Sequence, residues 1–318
     1  MATYKEIHGV KVQYRDSDAP AIIGDVWYNS STGLLKMYSA LGAWSTGGEL
    51  NTARRSGSVG ADEKDLATYA GGSSSHDETD QYNGSSWADV ADLNTGRTAT
   101  GGGGNKAAMR VVSGSTTARV AIVEEWDDSS WTEIADVNTA RNEGVGFSGT
   151  VDSAILFGGE TPSASALAET WNGTSWTETG DLNTARGRIG AATEGTVTAT
   201  LGFGGAPNLN VSETWNGTSW TEGNNLNTGR SALSGCGIVT AAMAFGGQEP
   251  TFSVLSESYD GTSWSATAAL GTAICNNAGI GTTTSAFSCG GTPTPPVYTN
   301  AVEEWSDPAY TIKTVTSS

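Results

Sequence analysis

The sequence predicts an all-β fold: four-stranded modules of about 44 residues, set side by side around a common axis. Three observations predict it. The decapeptide "ETWNGTSWTE" occurs unchanged at Glu169–Glu178 and at Glu213–Glu222. A marker, "LNTAR", recurs at Leu50, Leu93 ("LNTGR"), Val137 ("VNTAR"), Leu182 and Leu226 ("LNTGR"), with a decayed copy, "LGTAI", at Leu270. The steps between these starts are 43, 44, 45, 44 and 44 residues, so each unit is one structural module. Finally, the apolar runs within each unit are short, bounded by Gly, Asn and Asp, and never sustain a helical period, which reads as four strands per unit. One such sheet cannot bury both faces alone. Radial stacking buries them, and closing the ring protects the sheet edges, which is the logic of a β-propeller.

The order inside a unit is constant. After the marker comes a small-residue stretch such as "GRIGAATEG". An apolar strand then ends in paired glycine, as in "LATYAGG" to Gly72, "SAILFGG" to Gly159, "TATLGFGG" to Gly205, "AAMAFGG" to Gly247 and "SAFSCGG" to Gly291. The second unit departs, with "RVVSGS" in that place. A variable stretch follows, then an aromatic hairpin. In "WNGTSW" the Asn-Gly pair predicts a type I′ turn, repeated at Asn83-Gly84 and as Asp260-Gly261. Ten of the 11 Trp fall in such hairpins, so they are expected to pack blades first. The same "NGT" and "NGS" triplets also match glycosylation sequons, but no secretory signal accompanies them.

Residues 1–49 read as a degenerate N-terminal blade or an attachment segment, and 50–318 as six repeats. "GDVWYNSSTGLLKMYSALGAW" is in phase with the repeats: Tyr38 precedes Tyr82 by 44 residues and Trp44 precedes Trp87 by 43. Seven blades are therefore favoured, with six plus an N-terminal segment as the alternative. A chain running from inner to outer strand would lack a blade shared between its ends. The final strand, "YTIKTV" (Tyr310–Val315), is expected to pair with the N-terminal unit instead.

Composition narrows the function classes. The net charge is −18, with 34 acidic against 16 basic residues, so unaided nucleic-acid binding is not expected. No stretch approaches the length of a membrane span. Cys236, Cys275 and Cys289 show no metal-type spacing and read as buried thiols, with a Cys275–Cys289 bridge left open. No cofactor or metal is expected.

A double glycine after an apolar strand, an aromatic some ten residues on, Trp five residues beyond it and then Arg resembles the kelch repeat, over residues 50 to 318. The resemblance implies that the small-residue stretch is the innermost strand and the Trp hairpin the two outer ones. This chain departs from it in placing Trp126, Trp171, Trp215 and Trp305 where Tyr is usual, and in a last copy without Arg and with Tyr310 for its final Trp. The N-terminal "GDVWYNSSTGLLKMY" resembles short strand modules of phage tail and fibre proteins.

Charges recur at fixed phase. Arg54, Arg97, Arg141, Arg186 and Arg230 hold one position; Asp80, Glu124, Glu169, Glu213, Glu257 and Glu303 hold another. Ring-wise Arg–carboxylate pairing is the structural reading. The functional reading is an arginine belt near the channel mouth, able to hold an acidic sugar or a peptide carboxylate. The stretches after the paired glycines (73–80, 160–168, 206–210, 248–256 and 292–300) vary most and should be loops on one face, where His76, Phe252 and Tyr298 are the further binding candidates.

Only two His, His8 and His76, leave almost no base for a serine hydrolase. The adjacent acids Asp127 and Asp128, or Glu124 and Glu125, could in principle serve glycoside hydrolysis. The sequence therefore points to a non-enzymatic structural or adhesion protein on a virus particle. Its expected partners are other virion proteins, copies of itself, or a host-surface glycan or protein. A purely architectural decoration or connector is the alternative, and an enzyme acting on polysaccharide the third reading.

Overall fold

The computed structural model describes residues 13–17, 26–39, 42–63, 65–73, 76–307 and 311–314. His8 and Tyr310 lie outside them. Seven four-stranded sheets are present among the described residues, with one additional short two-stranded hairpin at 248–252. The chain divides into two units, Trp44–Ser306 and a smaller one made of Met1–Ala43 with Asp307–Ser318. The repeat count of seven is thus met as a count of sheets, and six of the seven belong to the larger unit.

Within the larger unit each sheet is an antiparallel meander. The third blade shows the pattern: Gly146–Gly149 pairs with Ala154–Phe157, which pairs with Ala168–Trp171, which pairs with Trp176–Glu178. The first strands are built from small residues, down to the tetraglycine Gly101–Gly104, because they crowd together around the axis. These six strands contact one another in a closed cycle: Ser58–Glu63, Gly101–Gly104, Gly146–Gly149, Gly190–Ala191, Ser234–Ile238, Ala278–Gly281, and back to Ser58–Glu63. The ring of this unit therefore has six blades.

The paired glycines stitch the ring together. The second glycine of each blade donates its N–H to the carbonyl at the marker's arginine position in the next blade. Gly72 reaches Arg97 at 2.9 Å, Gly159 reaches Arg186 at 3.0 Å, Gly205 reaches Arg230 at 2.9 Å and Gly247 reaches Ile274 at 2.7 Å. Gly291 of the last blade returns to Arg54 of the first at 2.9 Å. Glycine is required here. Gly158 and Gly159 have φ of +68° and +88°, and a Cβ on Gly158 would lie 2.3 Å from Ile189 Cδ1. The irregular second unit keeps the geometry: Ser113 takes the left-handed conformation at φ 59°, and Gly114 donates to Arg141 at 2.8 Å.

The outer hairpins carry tilted aromatic pairs with ring centroids about 5 Å apart: Tyr82–Trp87, Trp126–Trp131, Trp171–Trp176, Trp215–Trp220 and Tyr259–Trp264. Their turns correct the type I′ expectation. Trp171 pairs directly with Trp176, so four residues form the loop, and only Gly173, at φ +91°, is left-handed. The reason is the Asn side chain: Asn172 Oδ1 accepts the N–H groups of Thr174 and Ser175, both at 3.0 Å, which makes an Asx turn more favourable than a two-residue reversal.

The expected lack of a shared blade is also corrected. Ala43–Thr46 is the outermost strand of the sixth blade, beside Val302–Ser306. Trp44 packs at a tilt against Trp305, ring centroids 5.5 Å apart, and so supplies the Trp expected at Tyr310. Its Nε1 donates to Ser256 Oγ at 3.1 Å, as Trp131 does to Thr79 and Trp264 to Ser212 in other blades. The following segment completes the match, with Gly47 N to Val302 O and Leu50 N to Asn300 O, both 2.8 Å. The phase that placed Trp44 with Trp87 was thus sound, and closure of the ring joins residue 44 to residue 305.

In the smaller unit, Gln13–Arg15 pairs in parallel with Val26–Asn29, which pairs antiparallel with Leu34–Ser39. Thr311–Thr314 adds antiparallel to Leu34–Ser39, so the final strand does join the N-terminal unit. Among the described residues no helix is long and apolar enough to cross a membrane.

Candidate functional site at the mouth of the ring

The five marker arginines are not at an open mouth. Arg54, Arg97, Arg141, Arg186 and Arg230 have no accessible surface. Each forms an ion pair inside its own blade, with Asp80, Glu124, Glu169, Glu213 and Glu257 respectively. Most of their remaining donors go to backbone carbonyls: Arg230 Nη1, for example, donates to Gly246 O at 2.7 Å and Leu255 O at 2.8 Å, while Nε of Arg54, Arg186 and Arg230 is buried without a partner. Burial lowers the pKa of Arg97, Arg141, Arg186 and Arg230, against the pull of the paired carboxylates. Burial lifts the carboxyl of Asp80, and Arg54 opposes it. With no accessible surface, these side chains present no donor to a ligand, which corrects the arginine-belt expectation. The carboxylates also explain the marker's "NT". Glu213 accepts Asn183 N at 2.7 Å, Asn183 Nδ2 at 2.8 Å and Thr184 N at 3.3 Å. Glu303, which lacks an arginine, still accepts Gly271 N at 2.7 Å and Thr272 N at 3.1 Å.

Two residues beyond each arginine position the chain turns left-handed without glycine: Ser56, Ala99, Glu143, Arg188, Ala232 and Asn276, with φ between 52° and 60°. These six residues link neighbouring blades through the backbone. Ser56 N donates to Asn276 O at 2.9 Å, Ala99 N to Ser56 O at 2.9 Å, Arg188 N to Glu143 O at 2.6 Å, Ala232 N to Arg188 O at 3.0 Å and Asn276 N to Ala232 O at 2.9 Å. The belt costs backbone strain, of the kind that concentrates at functional sites, and is held by these inter-blade bonds.

The belt rims a cavity of about 560 Å³ to which all six blades contribute. That size lies in the range of small-ligand sites, roughly 300–1,000 Å³. The variable loops after the glycines open at the same end, because their first residues bond to the marker turns: Ser73 N to Arg55 O, Ala206 N to Gly187 O and Thr292 N to Cys275 O. Phe252 and Tyr298, two of the expected loop residues, line the cavity. His76 does not line it; its Nδ1 lies 2.6 Å from Glu78 Oε2 at the side of the first blade.

Two cations that the repeat pattern did not single out, Arg55 and Arg188, line the cavity as well. The Arg55 guanidinium stacks on Tyr298 at 5.1 Å, and Arg188 Nε donates to Glu143 Oε2 at 3.0 Å. Cys275, another lining residue, has its thiol pushed up to about 11 by burial, with Arg55 and Arg188 pulling the other way. Cys236, Cys275 and Cys289 are all free and buried. The signal that would have found this site is variation: five markers share their arginine, while the residue two places on reads Ser, Ala, Glu, Arg, Ala and Asn around the ring. Comparison of the chain with protein-family models and with curated proteins finds no match.

Proposed function

We propose that this chain is a kelch-type propeller that works without catalysis, as a recognition and attachment protein on the exterior of a virus particle, and that the mouth of its ring binds a host-surface glycan. The observation that carries the reading is the cavity itself. It lies at the loop-bearing end, and it combines aromatic Phe252 and Tyr298 with guanidinium, amide and hydroxyl groups. Aromatic faces with a few placed polar groups are what a sugar requires: apolar contact for its ring and hydrogen bonds for its hydroxyls. The smaller unit collects strands from both ends of the described chain into one sheet, which suits an attachment module. Its partners in this role would be other virion proteins.

Two measurements test the reading. Labelled protein on a glycan array should bind a defined subset of glycans, and Tyr298→Ala should weaken that binding. Imaging of a purified particle should place the ring at an outer surface. An internal position, or an array without signal from folded protein, refutes the proposal.

A further inference from the structure

The cavity has polar groups of two kinds, orphaned ones buried in its wall and charged ones at its rim. Asn277 Oδ1, Thr292 Oγ1 and Thr193 Oγ1 are buried without a partner, and all three residues line it. Asn277 and Thr292 are themselves more than nine-tenths buried, at 7% and 2% exposure. These three atoms have no accessible surface, so the polar groups open to a ligand are instead the guanidiniums at the rim. Among the described residues, Arg55 is held by its stack on Tyr298, and Arg188 by Nε, which donates to Glu143. In a chain of net charge −18, two arginines with free donors at one cavity form a local site for negative charge.

We propose that the ligand of this cavity is a carboxylate-bearing sugar, a uronic-acid-type residue within a glycan. The inference rests on the glycan reading above and goes further by assigning its charge. The carboxylate takes the guanidinium donors of Arg55 and Arg188 in charge-assisted bonds, and the sugar ring lies against Tyr298. Arg55 and Arg188 are therefore the specificity residues, and the buried marker arginines are not.

The test is calorimetric titration with a uronate tetrasaccharide and with its neutral hexose counterpart, using the full chain and the variants Arg55→Gln and Arg188→Gln. Both arginines are partly exposed, and a thermal melt confirms that each variant is folded. The expected result is at least tenfold tighter binding of the uronate. Each substitution should reduce that preference severalfold, and the double variant should bind both sugars alike. Equal binding of acidic and neutral sugars by the unaltered chain overturns the carboxylate assignment and leaves glycan recognition standing. A uronate preference that survives the double variant overturns the assignment to Arg55 and Arg188. If neither sugar binds, and the glycan array is also blank, the glycan reading itself fails.

Discussion

Replacing Glu169 by Gln keeps the shape of the side chain and removes one charge from the wall of the third blade. Glu169 and Arg141 are both fully buried. Glu169 Oε2 accepts Asn138 N at 2.7 Å and Asn138 Nδ2 at 2.8 Å, and Oε1 accepts Thr139 N at 3.3 Å besides the Arg141 guanidinium. Arg141 also donates to Leu167 O at 2.7 Å. Gln keeps one oxygen that can still accept from Asn138, but its NH2 then faces the Thr139 N–H and the guanidinium, so the countercharge and one acceptor are lost and Arg141 is stranded out of water. Breaking one side of a buried pair costs about 3–5 kcal/mol. For a domain of this size about 1 kcal/mol corresponds to 2–4 °C, so the melting temperature should fall by roughly 6–20 °C. The sixth blade supplies the control, since Ile274 stands at the arginine position there, 5% exposed. The double variant Arg141→Ile/Glu169→Gln removes both charges and should recover most of the loss, to within about 2 kcal/mol of the parent. The assay is calorimetry or urea titration of the two singles and the double. A single substitution costing under about 1 kcal/mol, or a double variant as costly as the sum of the singles, would show that the pairing is not what holds these arginines.

Three further outcomes are expected. Trp220 Nε1 is buried without a partner because Ala168 stands where Thr79, Ser212 and Ser256 serve other blades, so Ala168→Ser should stabilise by about 0.5–1.5 kcal/mol; an unchanged or lower melting temperature counts against that account. Trp44→Ala should destabilise by about 3 kcal/mol and open residues 43–50 to limited proteolysis, whereas Trp171→Ala, costing a similar amount in mid-ring, should leave that segment protected; equal cutting in both variants refutes a special role in closure. The Asp260 carboxyl is held below its usual range by the Oγ and N–H donors of its turn, first the N–H groups of Ser263 and Thr262. Its contribution is therefore complete above the unfolded pKa and lost as pH falls through the lower folded value. An NMR titration should show the Ser263 amide moving with that carboxyl, and Asp260→Asn should abolish the movement; a midpoint at the usual aspartate value refutes it.

The fold was legible where physics forces repetition. Paired glycines, marker turns and Trp hairpins must meet the same neighbours in every blade, so their residues recur and their period can be read. Closure was legible only as phase: Trp44 carried the 43-residue step, but around it the outer strand "AWST" keeps none of the hairpin's other residues. A strand added from the far end of the chain needs no turn, so the turn signal is absent. The Asn-Gly and Asp-Gly signals located four of the hairpins but mistook their loop length, because the competing side-chain bonds lie in the two residues that follow. The arginines were conspicuous for the opposite reason to the one a binding site needs. Their constancy reflects a buried partner repeated in each blade, while recognition surfaces differ between blades. Arg55 and Arg188, Ser56 and Asn276 follow the same marker and share no identity, so periodicity passed over them.

The strand Ala43–Thr46 also sets a timetable for synthesis. It leaves the ribosome before the other strands of the ring, yet its hydrogen-bonding partner Val302–Ser306 is made only after all of them. Five blades can assemble from contacts close in sequence as the chain lengthens; the sixth must wait for residues 43–46 and 302–306 to meet. Contacts of such separation form slowly, so closure should limit the rate of maturation. Until it occurs, Trp305 and the inner flank of the last blade remain open to intermolecular association. A ring assembled in this way is most vulnerable to aggregation just before it is complete.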